Sequence, residues 1–267
     1  MIRLIDSLSY SNRLRGISPM WKCGFAAALF MLSYGSHPPV QAAIFAWMIV
    51  WVVRYARIPL KAHLVMLGTA CLFFIASLPA LLVEIQPGSV AAPGSSVFVL
   101  WSRPYGSVYV TETGLHTAAA LFMRAAACLS AVSFVMFTTP VAELFQVMKR
   151  LRVPALALEL MLITYRFLFI LTETAHDLYT AQRARGGHNG FRRRLNDTAL
   201  LIVRLFVKTM HRYKGLSHGL VSRGFTEEIR PAPYRAGTVP ARYRLESGIG
   251  VAILLLLECW LRWRGFV

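Results

Sequence analysis

Five apolar blocks, each near the length of a bilayer crossing, constrain this chain more than any other feature. They cover residues 19–36, 39–54, 60–83, 114–138 and 245–261. A helix rises about 1.5 Å per residue, so about 20 apolar residues cross the roughly 30 Å of hydrocarbon in a bilayer. A backbone in lipid must satisfy its own polar groups, so such blocks fold as helices. The third and fourth are long enough unaided. The first two are short, and Lys22 and Arg54 at their flanks are expected to snorkel and lengthen the span. The tight connector Ser36-His37-Pro38-Pro39 joins them as a helical hairpin, because proline stops a helix. The fold class expected is an all-α integral membrane protein with about five transmembrane helices. Composition agrees: 56% of residues are apolar, against about 45–50% in soluble domains.

Basic residues set the orientation. Arg3, Arg13 and Arg15 precede the first block, and Arg54, Arg57 and Lys61 flank the second connector. The connector at 36–39 has no Lys or Arg, and the loop at 84–113 has only Arg103. Residues 139–244 carry eighteen Lys and Arg against seven Asp and Glu. Basic and non-basic loops alternate, as the positive-inside rule expects. The reading is a membrane domain at 1–138 with a cytoplasmic N-terminus, a cytoplasmic domain at 139–244, and a last transmembrane helix within 245–267. Arg262 and Arg264 fit poorly on an outer face, which leaves the side of the C-terminus open. The loop at 84–113 is rich in Gly, Pro, Ser and Val, and Ser107-Val108-Tyr109-Val110-Thr111 has strand-like composition.

The same features exclude several classes. The net charge of +17 is accounted for by cytoplasmic flanks of membrane helices, and no zinc-finger or RNP-type motif points to nucleic acid. Cys23, Cys71, Cys128 and Cys259 each lie in an apolar block with no CxxC pair, so they read as small buried residues. The seven histidines are scattered, and no HExxH or His/Cys cluster suggests a metal or cofactor site. No GxxxxGK[ST] loop occurs, so the chain does not cradle ATP phosphates in the P-loop manner. The N-terminus lacks the pattern of a cleaved signal peptide.

The segment at 139–244 reads as helical: a short amphipathic helix at 141–151, a long helix at 155–185 that begins apolar and turns polar from Glu173, and a second long helix at 195–221. On the last, Leu195, Ala199, Ile202, Phe206, Met210 and Tyr213 recur at three- and four-residue steps as one apolar face. A proline-containing linker at 230–243 returns to the membrane. Both long helices end alike, in Ala184-Arg185-Gly186 and in Ser222-Arg223-Gly224. A small residue lets another surface approach, arginine offers a fixed fork of donors, and glycine permits a left-handed cap. Two such ends suit docking into two equivalent grooves of a dimeric partner. The bland alternative is that Arg-Gly also occurs at Arg15-Gly16 and Arg264-Gly265, and that a basic last turn merely compensates a helix dipole.

With these ends, the sequence resembles the T components of energy-coupling factor (ECF) transporters, and among them the cobalt-type CbiQ family. Similar too are Ile5-Asp6-Ser7-Leu8-Ser9-Tyr10, Arg13-Leu14-Arg15, Pro19-Met20-Trp21-Lys22, Thr138-Thr139-Pro140, Leu151-Arg152-Val153-Pro154 and Thr164-Tyr165-Arg166-Phe167. The second end carries Ser where the family pattern has Ala, a small-for-small change. The resemblance covers nearly the whole chain. It implies a multi-pass, non-catalytic subunit of the cytoplasmic membrane of a bacterium or archaeon. It implies as partners two P-loop ABC ATPases and a small membrane substrate-binding subunit, within the lipid bilayer and without nucleic acid. It assigns Arg185 and Arg223, with Ala184, Gly186, Ser222 and Gly224, to ATPase coupling. Co²⁺ is the substrate by the closest resemblance, with nickel or a vitamin as alternatives; the partner subunit would set it.

Arg124 falls near the middle of the fourth block. A centred arginine costs about 2.5–3.5 kcal/mol on insertion scales, so it is expected to bond backbone carbonyls of this chain or to meet a partner subunit. The rival readings for the whole chain are a conventional ABC permease, a membrane enzyme and a basic membrane scaffold. The first would couple through one short loop, and the second would need a catalytic constellation that is not apparent.

Overall fold

The computed structural model describes residues 8–86, 96–103, 106–224 and 237–264. The opening Ile5-Asp6-Ser7 and the first half of the expected linker at 230–243 lie outside them. The described helices are α1 (Pro19–Gly35), α2 (Pro38–Val50), α3 (Leu60–Leu82), α4 (Glu112–Thr138), α5 (Val141–Arg150), α6 (Ala155–Ala184), α7 (Phe191–Ser222) and α8 (Ala241–Trp263). A π-helical turn, Trp51–Tyr55, extends α2. Prolines set several starts: α1 and α2 carry them in the first turn, and Pro154 and Pro240 precede α6 and α8, where the missing N–H costs nothing. Two connectors repeat one device. Arg57 and Arg152 take positive φ, 56° and 62°, just before Ile58-Pro59 and Val153-Pro154. The N–H groups of Ile58 and Val153 then close on Val52 and Met148 carbonyls, satisfying carbonyls the helix ends leave free.

The loop at 84–113 holds a small antiparallel sheet in the order β1-β3-β2. Its strands are β1 (Val83–Gln86), β2 (Ser96–Arg103) and β3 (Gly106–Thr111). The strand-like run Ser107–Thr111 is therefore strand, paired on both sides.

The chain forms two compact units, Met1–Leu144 with Arg235–Val267, and Phe145–Tyr234. In the first, α1, α2 and α3 all pack on α4. The inward face of α4 carries Ala118, Ala127, Ser130, Ala131 and Ser133, small residues that let helix backbones approach closely in lipid. The two serine hydroxyls donate to carbonyls one turn back, each at 2.8 Å, so the close-packed face satisfies both donors. Around it sits an aromatic core. Trp51, fully buried, stacks on Tyr55 at 4.4 Å between centroids and lies 5.1 Å from Phe25.

At one end of this unit the last carbonyls of α4 are capped by side chains. Asn12 donates to the Phe137 and Thr138 carbonyls at 3.2 and 3.3 Å. Lys22 donates to Thr138 at 2.8 Å and lies 3.9 Å from the Glu143 carboxylate. Lys22 is fully buried, which corrects the expectation that it snorkels: its charge compensates the negative end of the α4 dipole rather than reaching water. Arg54 is exposed, as expected. The same end gathers the N-terminal segment and the connector after α2, since the Arg13 N–H donates to the Ala56 carbonyl. Of the basic flanks read from sequence, Arg13 and Arg15 therefore share one face with Arg54 and Arg57.

At the opposite end the Glu258 carboxylate accepts from the His37 backbone N–H at 3.1 Å and from Arg262 at 2.9 Å. Arg262 also donates to the Gly35 carbonyl at 2.8 Å. Tyr55 meets Glu246 at 2.6 Å near the start of α8, so α2 and α8 run antiparallel. The end of α8 thus lies beside the connector at 36–39, and its awkward arginine is neutralised by Glu258. A reporter fused after Arg264 is expected to read on the outer side, with the 36–39 connector; a cytoplasmic reading would contradict this topology.

Among the described residues, four helices are long and apolar enough to cross a bilayer: Pro38–Tyr55, Leu60–Leu82, Glu112–Thr138 and Ala155–Ala184. The chain is an integral membrane protein with several helical passes, all-α as expected except for the small sheet after α3. α1 has 17 residues, about 25 Å. The fourth of those helices, α6, belongs to the second unit.

Candidate partner-docking site

The second unit is built on two long helices joined by residues 185–190. Its surface is unusual: α7 buries none of its 32 residues, and α6 only Thr174. The apolar face expected on α7 exists but is uncovered, with Leu195, Ile202, Phe206, Met210 and Tyr213 all exposed. α7 begins at Phe191 rather than near residue 195, taking Arg192, Arg193 and Arg194 into its first turns.

The two Arg-Gly ends share one backbone geometry. Arg185 caps α6 at φ −90°, ψ 17°, and Arg223 caps α7 at φ −95°, ψ 10°. Gly186 and Gly224 follow at φ +74° and +67°, the left-handed region that glycine enters without a Cβ penalty. In each end the arginine and glycine N–H groups donate three residues back: Arg185 to Gln182, Gly186 to Arg183, Arg223 to Leu220, Gly224 to Val221. This tightened last turn satisfies the terminal carbonyls and leaves the arginine side chain outside the helix. All six residues, Ala184, Arg185, Gly186, Ser222, Arg223 and Gly224, are exposed. Among the described residues, neither Arg185 nor Arg223 has a side-chain hydrogen bond or ion-pair partner. The other Arg-Gly arginines differ. Arg15 lies 5.2 Å over the Tyr10 ring, and Arg264 4.5 Å over Trp260.

The first end is braced further. The Gly187 N–H donates to Gln182 at 3.0 Å. The Asp197 carboxylate accepts from the His188 N–H at 2.7 Å, and Gln182 donates to the Asp197 carbonyl at 3.1 Å. His188 lies 4.7 Å from the Tyr179 ring. These braces border an open polar concavity of about 650 Å³ lined by Arg183, His188 and Arg194 among others. The sequence reading missed them; the available signal was an aspartate in the second turn of a helix preceded by glycines. A Cβ at Gly187 would stand 2.8 Å from the Gln182 oxygen and 3.0 Å from the Asp197 carboxylate. Gly187→Ala is therefore expected to distort the turn at a cost of about 1–3 kcal/mol. It should weaken partner binding at the first end only, measured by copurification.

Known proteins share this sequence pattern. The CbiQ family, described as cobalt transport protein, matches residues 10–234. The chain is 32% identical to the cobalt transport protein CbiQ of Rhodobacter capsulatus, over 95% of this chain and 97% of that one. It is 28% identical to the CbiQ of Salmonella typhimurium, over 80% and 92%. It is also 26% identical, over 82% of its length, to 28% of a Bifidobacterium longum chain named as an ABC transporter ATP-binding protein. This chain belongs to the CbiQ cobalt transport protein family, whose members are transport proteins.

Proposed function

We propose that this chain is the transmembrane coupling subunit of an ECF-type importer, relaying motion of two cytoplasmic ATPases to a small membrane substrate-binding subunit. The observation that carries the reading is the pair of matched helix ends. Two arginines with the same cap geometry, both exposed and both without a partner among the described residues, flank α7: Arg185 caps α6 six residues before α7 begins, and Arg223 caps α7 itself. A 32-residue helix is about 48 Å long, so α7 acts as a strut that fixes the spacing of the two contacts. The bare faces of α6 and α7 supply surface for lipid and for partner helices. Cobalt ion is the substrate, supported by the family and by the CbiQ relatives. The relative named as an ATP-binding protein supports an ABC ATPase as partner.

The reading places the protein in the cytoplasmic membrane with α7 on the cytoplasmic side. If α6 crossed the bilayer, Lys149, Arg150 and Arg152 would stand opposite Arg183, Arg185 and Arg192–Arg194, against the positive-inside rule. Reporters fused at Arg152 and at Gly190 are expected to read cytoplasmic alike. The test of the function is copurification from native membranes. A P-loop ATPase should accompany the chain, and the complex should take up Co²⁺ in liposomes with ATP. A chain that takes up Co²⁺ with no ATPase bound would overturn the reading.

A further inference from the structure

Arg124 has no acceptor among the described residues of its own chain. Its Nε is fully buried and unbonded, and no described carboxylate or carbonyl takes its guanidinium. Its guanidinium lies over the Tyr34 ring at 5.9 Å, at the edge of cation–π range. Tyr34 is itself 68% exposed. The bond to an in-chain backbone carbonyl, one of two expectations for this residue, is therefore not what the fold provides. Arg124 lies twelve residues into α4 and fourteen from its end, at about 18 and 21 Å along the axis. It stands within the apolar span, where an unpaired cation is costly.

Beside it runs an open lane on α1. Gly24, Ala27, Ala28, Met31 and Tyr34 are exposed, and their three- and four-residue spacing puts them on one helix face. Apart from the helix's own backbone, no described atom lies within 4 Å of where a Gly24 Cβ would stand. A small-residue lane lets a second helix backbone approach closely in lipid. The lane ends at Tyr34, beside the arginine.

We propose that the α1–α4 face takes a transmembrane helix of the substrate-binding partner, and that this helix carries an Asp or Glu whose carboxylate pairs with Arg124. The identity of the partner rests on the function proposed above; the chemistry rests on Arg124 and the lane. A carboxylate is the match because the guanidinium fork takes it bidentately, and a pair enclosed between helices is shielded from water and salt. A lipid phosphate would satisfy the charge but would leave the small-residue lane without purpose.

The test uses the complete complex purified from membranes. Arg124→Leu and Arg124→Glu should each lower the copurified membrane subunit by about thirtyfold or more, the scale for losing one member of a buried charge pair. ATPase copurification should stay at the wild-type level. Ala28→Trp, at an exposed position in the middle of the lane, should do the same. Replacing the partner's acidic residue by Arg should restore the membrane subunit to Arg124→Glu. Three results overturn the inference: Ala28→Trp keeping the membrane subunit, Arg124→Leu keeping it, or Arg124→Leu losing ATPases and membrane subunit together, which marks a role within the chain's own fold. If wild-type chain binds a membrane subunit but no ATPase, the coupling reading fails while this surface is still tested.

Discussion

On the coupling function proposed above, Arg185→Glu or Arg223→Glu is expected to abolish Co²⁺ uptake by the complex while the chain remains inserted and keeps the membrane subunit. Each arginine projects from a tightened helix end with its donors free for a partner. Reversal turns a charge-assisted contact into a repulsion. Losing one side of a buried charged contact costs about 2–5 kcal/mol, and reversal should cost at least as much. Each single variant should weaken ATPase copurification, and the double variant should eliminate it. Arg185→Lys is expected to be impaired too, because a point charge does not reproduce the planar fork. Arg15→Glu and Arg264→Glu serve as controls. Their guanidiniums lie over the rings of Tyr10 and Trp260 within this chain, and their reversal should leave the ATPases bound. Equal loss from all four would mean that arginine content, not the paired ends, governs assembly.

Lys22→Ala is the second large effect, on stability rather than on docking. Lys22 is fully buried, capping the Thr138 carbonyl and facing Glu143 across 3.9 Å. Removing one partner of a buried ion pair typically costs about 3–5 kcal/mol. At about 2–4 °C per kcal/mol for a chain of this size, the melting midpoint in detergent should fall by about 10 °C. Lys61→Ala removes an exposed lysine and should leave the midpoint within about 2 °C. A similar small shift for Lys22→Ala would mean that the α4 cap contributes little. Glu143 sits in the first turn of α5, so the same pair anchors that turn to the α4 end.

Much of the fold was legible because its punctuation is chemical. Prolines mark the starts of α1, α2, α6 and α8, glycines mark the ends of α6 and α7, and apolar length marks α3 and α4. The start of α7 lies four residues earlier than its apolar period suggests, because Arg192, Arg193 and Arg194 add no apolar residue, although arginine is a good helix former. Lys22 misleads for another reason. A lysine near the end of an apolar block looks the same whether it reaches for water or for a carbonyl 116 residues away. Of the sheet, only β3 is read from sequence, by its β-branched and aromatic residues; β2 carries Val97, Phe98, Val99 and Trp101 and offered the same signal, while β1 is only four residues long. The two helix ends were legible as motifs. Their matched cap angles and the brace through Gln182, His188 and Asp197 depend on where residues from two helices meet, which spacing alone does not reveal.

The most direct measurement of the central claim is site-specific photo-crosslinking in intact membranes. A benzophenone side chain is placed in turn at Ala184, at Ser222 and, as a control, at Gly16. The account predicts that Ala184 and Ser222 each form an adduct with a P-loop ATPase, and that Gly16 forms none. Adducts to lipid alone from both helix ends, or ATPase adducts from all three positions, would contradict it.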